Sequence, residues 1–301
     1  MRVLVTGAGG QLGRDVVDVL SGAVPDGGRR RGIFRGGAGI DVVGVDHHAL
    51  DVADRSAVGG VMEAVRPHVV VHCAAWTAVD ACEGDPDGAF ATNALGTRHL
   101  AEAARRHGAH IVYLSTDYVF DGTSPRPYVE WDLPHPLSVY GRSKLGGEQE
   151  LDDGATLIRT SWVCGAHGTN MVGTILRLAA GDGVLRFVDD QRGCPTFTAD
   201  LAGTVAMLGT ERLPGVFHVT NQGATSWYEF AGAVLAAAGH DPGRVQAITT
   251  AELDPPRPAP RPANSVLDNA ALRLAGLPLL PDWHDGLERL VPALGAAVGR
   301  S

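Results

Sequence analysis

The first half of the chain alternates short, near-continuous apolar runs with longer stretches whose apolar positions recur at helical spacing. The runs at 3–6, 42–46, 69–73, 111–115 and 156–160 predict strands buried on both faces, since a strand with one wet face would alternate apolar and polar residues. Between them, 11–20, 89–106 and 140–151 predict helices; in the second, Arg98, Arg105 and Arg106 fall off the apolar stripe. Strand and helix in alternation predict βαβ units and therefore a parallel sheet. Beyond about Gly165 the pattern loosens, with strands expected at 185–188 and 216–219 and helices at 199–208, at 227–238 and after Pro281. The stretch 254–262 must run extended, because each proline removes a backbone donor and restricts the residue before it. The expected fold class is α/β: a doubly wound parallel sheet over 1–164, and a smaller α/β lobe over 165–301 that sends some segments back to the first domain.

Composition adds bounds. With 301 residues, 45% hydrophobic and 20% charged, the chain can bury one large core or two lobes. No apolar run approaches the ~18 residues that cross a bilayer. The strand pattern starts at once, leaving no room for a secretory signal, so a cytoplasmic enzyme is expected. The formal charge of -9 argues against nucleic acid or an anionic membrane as partner. Cys73, Cys82, Cys164 and Cys194 fit no zinc spacing and read as reduced structural thiols. The Gly/Arg-rich segment 21–40, with Arg29, Arg30, Arg31 and Arg35, reads as a mobile surface insertion, with phosphate binding by its arginines as the alternative.

The first strand runs into Thr6-Gly7-Ala8-Gly9-Gly10-Gln11-Leu12-Gly13 and then a helix. Glycines at 7, 10 and 13 suit a tight turn whose backbone approaches a pyrophosphate, with bare N–H groups of the helix N-terminus facing the anion. The spacing is G-x-x-G-x-x-G, and its place between a strand and a helix is what gives it weight. Asp46 ends the second strand, where a carboxylate can accept from an adenosine ribose and repel a 2′-phosphate. Asp51 and Val52 follow and could frame the adenine. For both aspartates the plain alternative is capping or solvent exposure.

Of the 25 basic residues only Lys144 is lysine, which marks it as a place where a broad guanidinium would not serve. Tyr140 stands four residues earlier, on the same helix face. A nearby ammonium favours the phenolate, which predicts a lowered Tyr140 pKa and a phenol able to protonate a ketone oxygen as hydride arrives. Thr116, at the C-terminal end of a strand, could bond the same oxygen.

At these residues the chain resembles the extended short-chain dehydrogenases of Rossmann fold, and most closely the dTDP-4-dehydrorhamnose reductases. The resemblance covers nearly the whole chain, through the glycine turn, Ala74-Ala75-Trp76-Thr77-Ala78-Val79-Asp80, Ser115 to Gly122, Tyr140 to Lys144 with Leu145, Gly147 and Glu148, Arg159-Thr160-Ser161-Trp162, and Asp190-Gln191-Arg192-Gly193-Cys194-Pro195-Thr196. Arg261-Pro262 with Ser265 matches less sharply, and Cys164, Met171 and Cys194 depart from the usual pattern. The resemblance implies that Gly10, Gln11, Leu12, Asp51, Val52, Ala75 and Thr77 line NADPH or NADH. It implies a catalytic set of Thr116, Tyr140 and Lys144, and Asp117, Tyr118 and Trp162 against a dTDP-sugar, as monomer or homodimer. The implied reaction is reduction of the C4 ketone of dTDP-4-dehydro-L-rhamnose. Some relatives bind magnesium at a dimer interface through glutamates; only Asp15 stands in such a neighbourhood here, so no metal is expected. The alternatives are a sister 4-ketoreductase of antibiotic deoxysugar biosynthesis, of the dTDP-dihydrostreptose synthase type, and a dinucleotide-binding regulatory subunit of methionine adenosyltransferases without turnover. An epimerase shares the Tyr and Lys but not the Thr116–Gly122 and Asp190–Thr196 runs.

Overall fold

A computed structural model of the chain describes residues 1–22, 33–35 and 39–298. Its main sheet has seven strands: β1 (Arg2–Thr6), β2 (Ile33–Arg35), β3 (Asp41–Val45), β4 (Val69–His72), β5 (His110–Thr116), β6 (Thr156–Thr160) and β7 (Gly215–His218). They lie in the order β7-β6-β5-β4-β1-β3-β2. Every pairing is parallel except that of β2 with β3. From β1 the chain first builds outward to β3, then crosses back to β4 on the other side of β1. That reversal opens a crevice at the C-terminal ends of β1 and β4, where sheets of this kind take their ligands.

Alternation along the strands explains why both faces are covered. Val3 and Val5 point to one face, where Val71, Val112 and Ile158 join them under α1 (Gln11–Ser21) and α5 (Thr198–Thr210) through Val16, Leu20, Leu201, Val205 and Leu208. Leu4 points to the other, with Val43, Val45, Val70 and Ile111, under α2 (Arg55–Val65) and α3 (Gly96–His107). This is the doubly wound parallel sheet the pattern implied. Thus α5 and β7, although beyond residue 164, complete the first core. A separate apolar cluster joins Val172 and Ile175 to Phe230, Val234 and Leu235 of α6 (Trp227–Ala237), with Trp283 and Leu287 from the last helix (Trp283–Val298).

The helix expected at 89–106 departs from a simple rod. An α-turn at Pro86–Phe90 passes into a π-turn at Ala91–Leu95 and only then into α3. The wide turn brings Asn93 fully inside, where its amide donates to the Trp76 carbonyl (3.1 Å) and its carbonyl accepts from the Trp76 N–H (2.8 Å). Of segment 21–40, residues 33–35 add the antiparallel edge strand, while Arg29, Arg30 and Arg31 lie outside the described residues. No helix among the described residues is long and apolar enough to cross a membrane.

Candidate active site

At the end of β1, Gly7 adopts φ +68°, and a Cβ there would come within 2.6 to 2.8 Å of the Cys73–Ala74 backbone. Glycine is therefore required twice over, for the left-handed conformation and for the close approach to the strand next door. The Gly10 N–H closes the turn on the Gly7 carbonyl (2.9 Å), and a Cβ on Gly13 would strike that same carbonyl. Helix α1 starts from Gly10 with no side-chain cap, which leaves its first amides for an external anion. This cradle, bare of side chains, fits a dinucleotide diphosphate.

Gly7, Gly10, Gln11, Leu12 and Gly13 form one wall of a cleft of about 410 Å³. Ala75 and Thr77 after β4, Thr116 at the end of β5 with Asp117 and Tyr118 after it, Tyr140 and Lys144, and Trp162 after β6 complete most of the lining. Asp46, Asp51 and Val52 stand outside that lining. Asp46 is buried against Gly9, and its Oδ1 accepts from the His48 N–H (2.9 Å) and the Ala49 N–H (3.2 Å). Asp51 is exposed and accepts from the Ala53 N–H (2.9 Å); Val52 is buried against Gly96.

Tyr140 and Lys144 sit on α4 (Val139–Glu148), capped by Ser138, whose hydroxyl accepts from the Gly141 N–H at 3.1 Å. A Cβ on Gly141 would collide with the Tyr118 carbonyl, so this glycine lets the helix press against the loop after β5. Lys144 is 2% exposed; its Nζ donates to the Leu114 carbonyl (2.6 Å) and lies 4.1 Å from the centre of the Tyr113 ring. Burial pushes its pKa down to about 7. Tyr140 departs from the sequence expectation. Its phenol is raised above its ordinary value, because desolvation outweighs the favourable hydrogen bond with Thr116, and Asp117 and Tyr118 add to the rise. The ammonium is committed to the Leu114 carbonyl, and it is not what governs the phenol.

Asp117 is buried beside them, and its Oδ1 accepts from the Thr116 hydroxyl (3.0 Å). Burial pushes its carboxyl up to about 7 against the opposing pull of Ser265 and Thr116. The Ser265 hydroxyl nevertheless spends its own hydrogen bond on the Arg192 carbonyl (3.3 Å), and Asp117 Oδ2 has no partner within hydrogen-bond geometry. Tyr118 meets Tyr140 edge to face at 5.8 Å.

Several contacts in and around the site escaped the sequence reading. Trp227, the first residue of α6, stacks on Trp162 with ring centres 3.6 Å apart and planes 6° from parallel, and both line the cleft. Trp162 itself holds φ +45°, and Gly193 lies so close to its ring that a Cβ would not fit. Nothing in spacing could pair residues 162 and 227. Asp80 accepts from Arg261 (2.8 and 2.9 Å), which pins the proline-rich stretch and holds the carboxyl down at about 2. Asp15, Asp18 and His167 bring ligand-type atoms within 4.8 Å of one another, a grouping that spacing does not reveal either.

Comparison with known proteins points to one family. The family model described as RmlD substrate binding domain matches residues 1–295. A dTDP-4-dehydrorhamnose reductase of Streptomyces griseus is 42% identical, over 99% of this chain and 96% of its own. A dTDP-4-keto-6-deoxy-D-glucose reductase of Streptomyces niveus is 39% identical, over 98% of each. Among solved structures, a Bacillus anthracis dTDP-4-dehydrorhamnose reductase in complex with NADP superimposes with a TM-score of 0.86 at 37% identity, covering 96% of this chain and 98% of that one.

Proposed function

Since this chain belongs to the dTDP-4-dehydrorhamnose reductase (RmlD) family, we propose that it reduces the C4 ketone of a dTDP-4-keto-6-deoxysugar with NADH or NADPH. The observation that carries the reading is the meeting, in one cleft, of the glycine cradle with Thr116, Tyr140 and Lys144. The dinucleotide would supply the hydride that adds to C4. As the carbonyl electrons move onto oxygen, the Tyr140 hydroxyl gives that oxygen its proton, and the phenolate regains one from solvent. Thr116 hydrogen-bonds the same oxygen and keeps the phenol aimed at it. With the ammonium hydrogens not given to Leu114, Lys144 would hold the ribose of a bound dinucleotide, and its charge would favour the phenolate as it forms. A raised phenol suits a general acid, because Tyr140 stays protonated at neutral pH and gives up its proton only as negative charge builds on the substrate oxygen. Asp117, Tyr118 and Trp162 face the sugar nucleotide. The apolar cluster beyond residue 164 is the lobe that presents Trp162 and its neighbours to the substrate.

The product favoured is dTDP-L-rhamnose, from dTDP-4-dehydro-L-rhamnose. A second reading, reduction without a preceding epimerisation to an antibiotic-type deoxysugar, draws support from the near-equal identity to the Streptomyces niveus enzyme. The test is to supply dTDP-4-keto-6-deoxyglucose with and without a 3,5-epimerase, follow oxidation of each reduced nicotinamide and identify the sugar formed. Turnover that needs the epimerase supports the rhamnose assignment. Equal turnover without it supports the second reading, and no oxidation of either cofactor overturns both.

A further inference from the structure

One turn after Lys144, Glu148 lies with Arg159 of β6 in a buried ion pair, each side chain 5% exposed. Glu148 Oε2 accepts from Arg159 Nη2 (2.7 Å), and Oε1 accepts from Arg159 Nε (3.0 Å) and from the Ser115 hydroxyl (2.5 Å). Ser115 is the residue between Leu114, whose carbonyl holds the Lys144 ammonium, and Thr116. We propose that Glu148, clamped by Arg159, is a positioning residue that keeps Lys144 charged and fixes the strand end carrying Leu114 and Thr116.

Two arguments separate this from a plain structural tie between α4 and β6. A buried ion pair is poor value as a tie, because packed apolar side chains of the same size commonly serve as well or better. Here the pair has a third party that needs it. The groups around the Lys144 ammonium are His72 and Cys73 at the end of β4, Tyr113 on β5, and Tyr140 and Glu148 on its own helix. Burial pushes His72 down to about 3, Cys73 up to about 12, and both tyrosines upward, so all four are neutral at pH 7. Glu148 is the one carboxylate among these groups, spaced i to i+4 from the lysine so that both lie on one face. Its oxygens accept from the Arg159 guanidinium and the Ser115 hydroxyl, which fixes the carboxylate one helical turn from the lysine.

Lys144 is the only lysine in the chain. Lysine labelled with a heavy nitrogen isotope therefore gives a single side-chain ammonium resonance, and its pH titration reads this group directly. Glu148→Gln is expected to move the titration midpoint to the acid side by about one pH unit or more, and the alkaline limb of kcat/KM with it. Glu148→Asp, which keeps the charge, is expected to bring both back towards the parent. Glu148→Gln also strands the Arg159 charge, so the double variant Glu148→Met with Arg159→Met, which strands none, is the control and carries the test if the single variant does not fold. It is expected to show the same acid-side movement. A midpoint unmoved in Glu148→Gln, or in the double variant where the single one does not fold, overturns the proposal. The inference rests on the proposed role of Lys144, yet the two fail separately. A midpoint that moves in a protein reducing no sugar nucleotide sinks the function and leaves the electrostatic coupling standing.

Discussion

At the scale of single residues, the proposed mechanism separates one group that moves a proton from several that place it. Tyr140 is the only hydroxyl on α4 that faces both Thr116 and the cleft, so Tyr140→Phe is expected to lower kcat by about 100-fold or more. The KM for the reduced nicotinamide should stay within a few-fold, since the cradle is untouched; steady-state rates with each ligand varied in turn check both halves. Asp46 offers a different kind of test. Its carboxylate is held by the amides of His48 and Ala49 against the back of Gly9, so its charge is fixed close to the glycine turn without forming part of the cleft lining. A fixed anion there opposes an added 2′-phosphate. Asp46→Ala should therefore raise kcat/KM for NADPH relative to NADH, and an unchanged ratio would mean that the charge lies too far from the ribose to matter. Both residues were singled out from the sequence because chemistry restricts what can stand there. The raised phenol was not foreseeable, because the desolvation that causes it comes from neighbours distant in sequence.

At the scale of elements, six of the seven strands of the main sheet were legible within a residue or so, because burial on both faces makes them mostly apolar, whereas β2 falls in the segment read as a surface insertion. The turn after β1 was legible for a related reason: at Gly7 and Gly13 no other residue fits. The π-turn at Ala91–Leu95 was not, since its cause is a hydrogen-bond requirement of the Trp76 backbone 17 residues earlier. That requirement is testable. Asn93 also donates to Ser143 on α4 (2.9 Å), so one side chain ties the loop carrying Ala75 and Thr77 to the helix carrying Tyr140 and Lys144. Asn93→Ala would leave the Trp76 N–H unpaired and its carbonyl with only the weak Cys82 thiol donor (3.9 Å), at a cost of about 1–3 kcal/mol for a group that water cannot reach. The expected result is a lower midpoint in urea unfolding together with a raised KM for the reduced nicotinamide. A variant that lost stability but bound the cofactor normally would confine Asn93 to a structural part.

At the scale of the whole molecule, the alternation of strands and helices implied the doubly wound sheet and some return of later segments to it, but not which segments return or how they close around the crevice. The Trp162–Trp227 stack, the return of α5 and β7 to the first core, and the depth of His72 and His218 all depend on contacts between distant parts of the chain. That depth has a consequence for the entire fold. Each histidine has an ordinary pKa of 6.5 and is pushed down to about 3, chiefly by burial, with Lys144 adding to the effect at His72 and Arg159 at His218. Between those values the unfolded chain binds a proton at each that the native chain refuses, so stability falls as pH drops below 6.5. Asp117 works the other way. Raised from 3.8 to about 7, it holds a proton in the native state that the unfolded chain has released. Asp15, also raised by burial, adds to that opposition towards the acid end. Near pH 5 the two histidines outnumber Asp117 by about one proton, and His110, also lowered chiefly by burial, acts in the same sense, so the unfolding free energy should decline there by about 1.4 kcal/mol or more for each pH unit of acidification, and less steeply towards pH 6.5. Urea unfolding across that range measures the slope. His218→Asn removes one of the refusing groups and is expected to lower the slope near pH 5 by about 1.4 kcal/mol per pH unit, whatever it does to stability at pH 7. A slope that stays as steep in that variant would show that His218 accepts its proton in the folded protein.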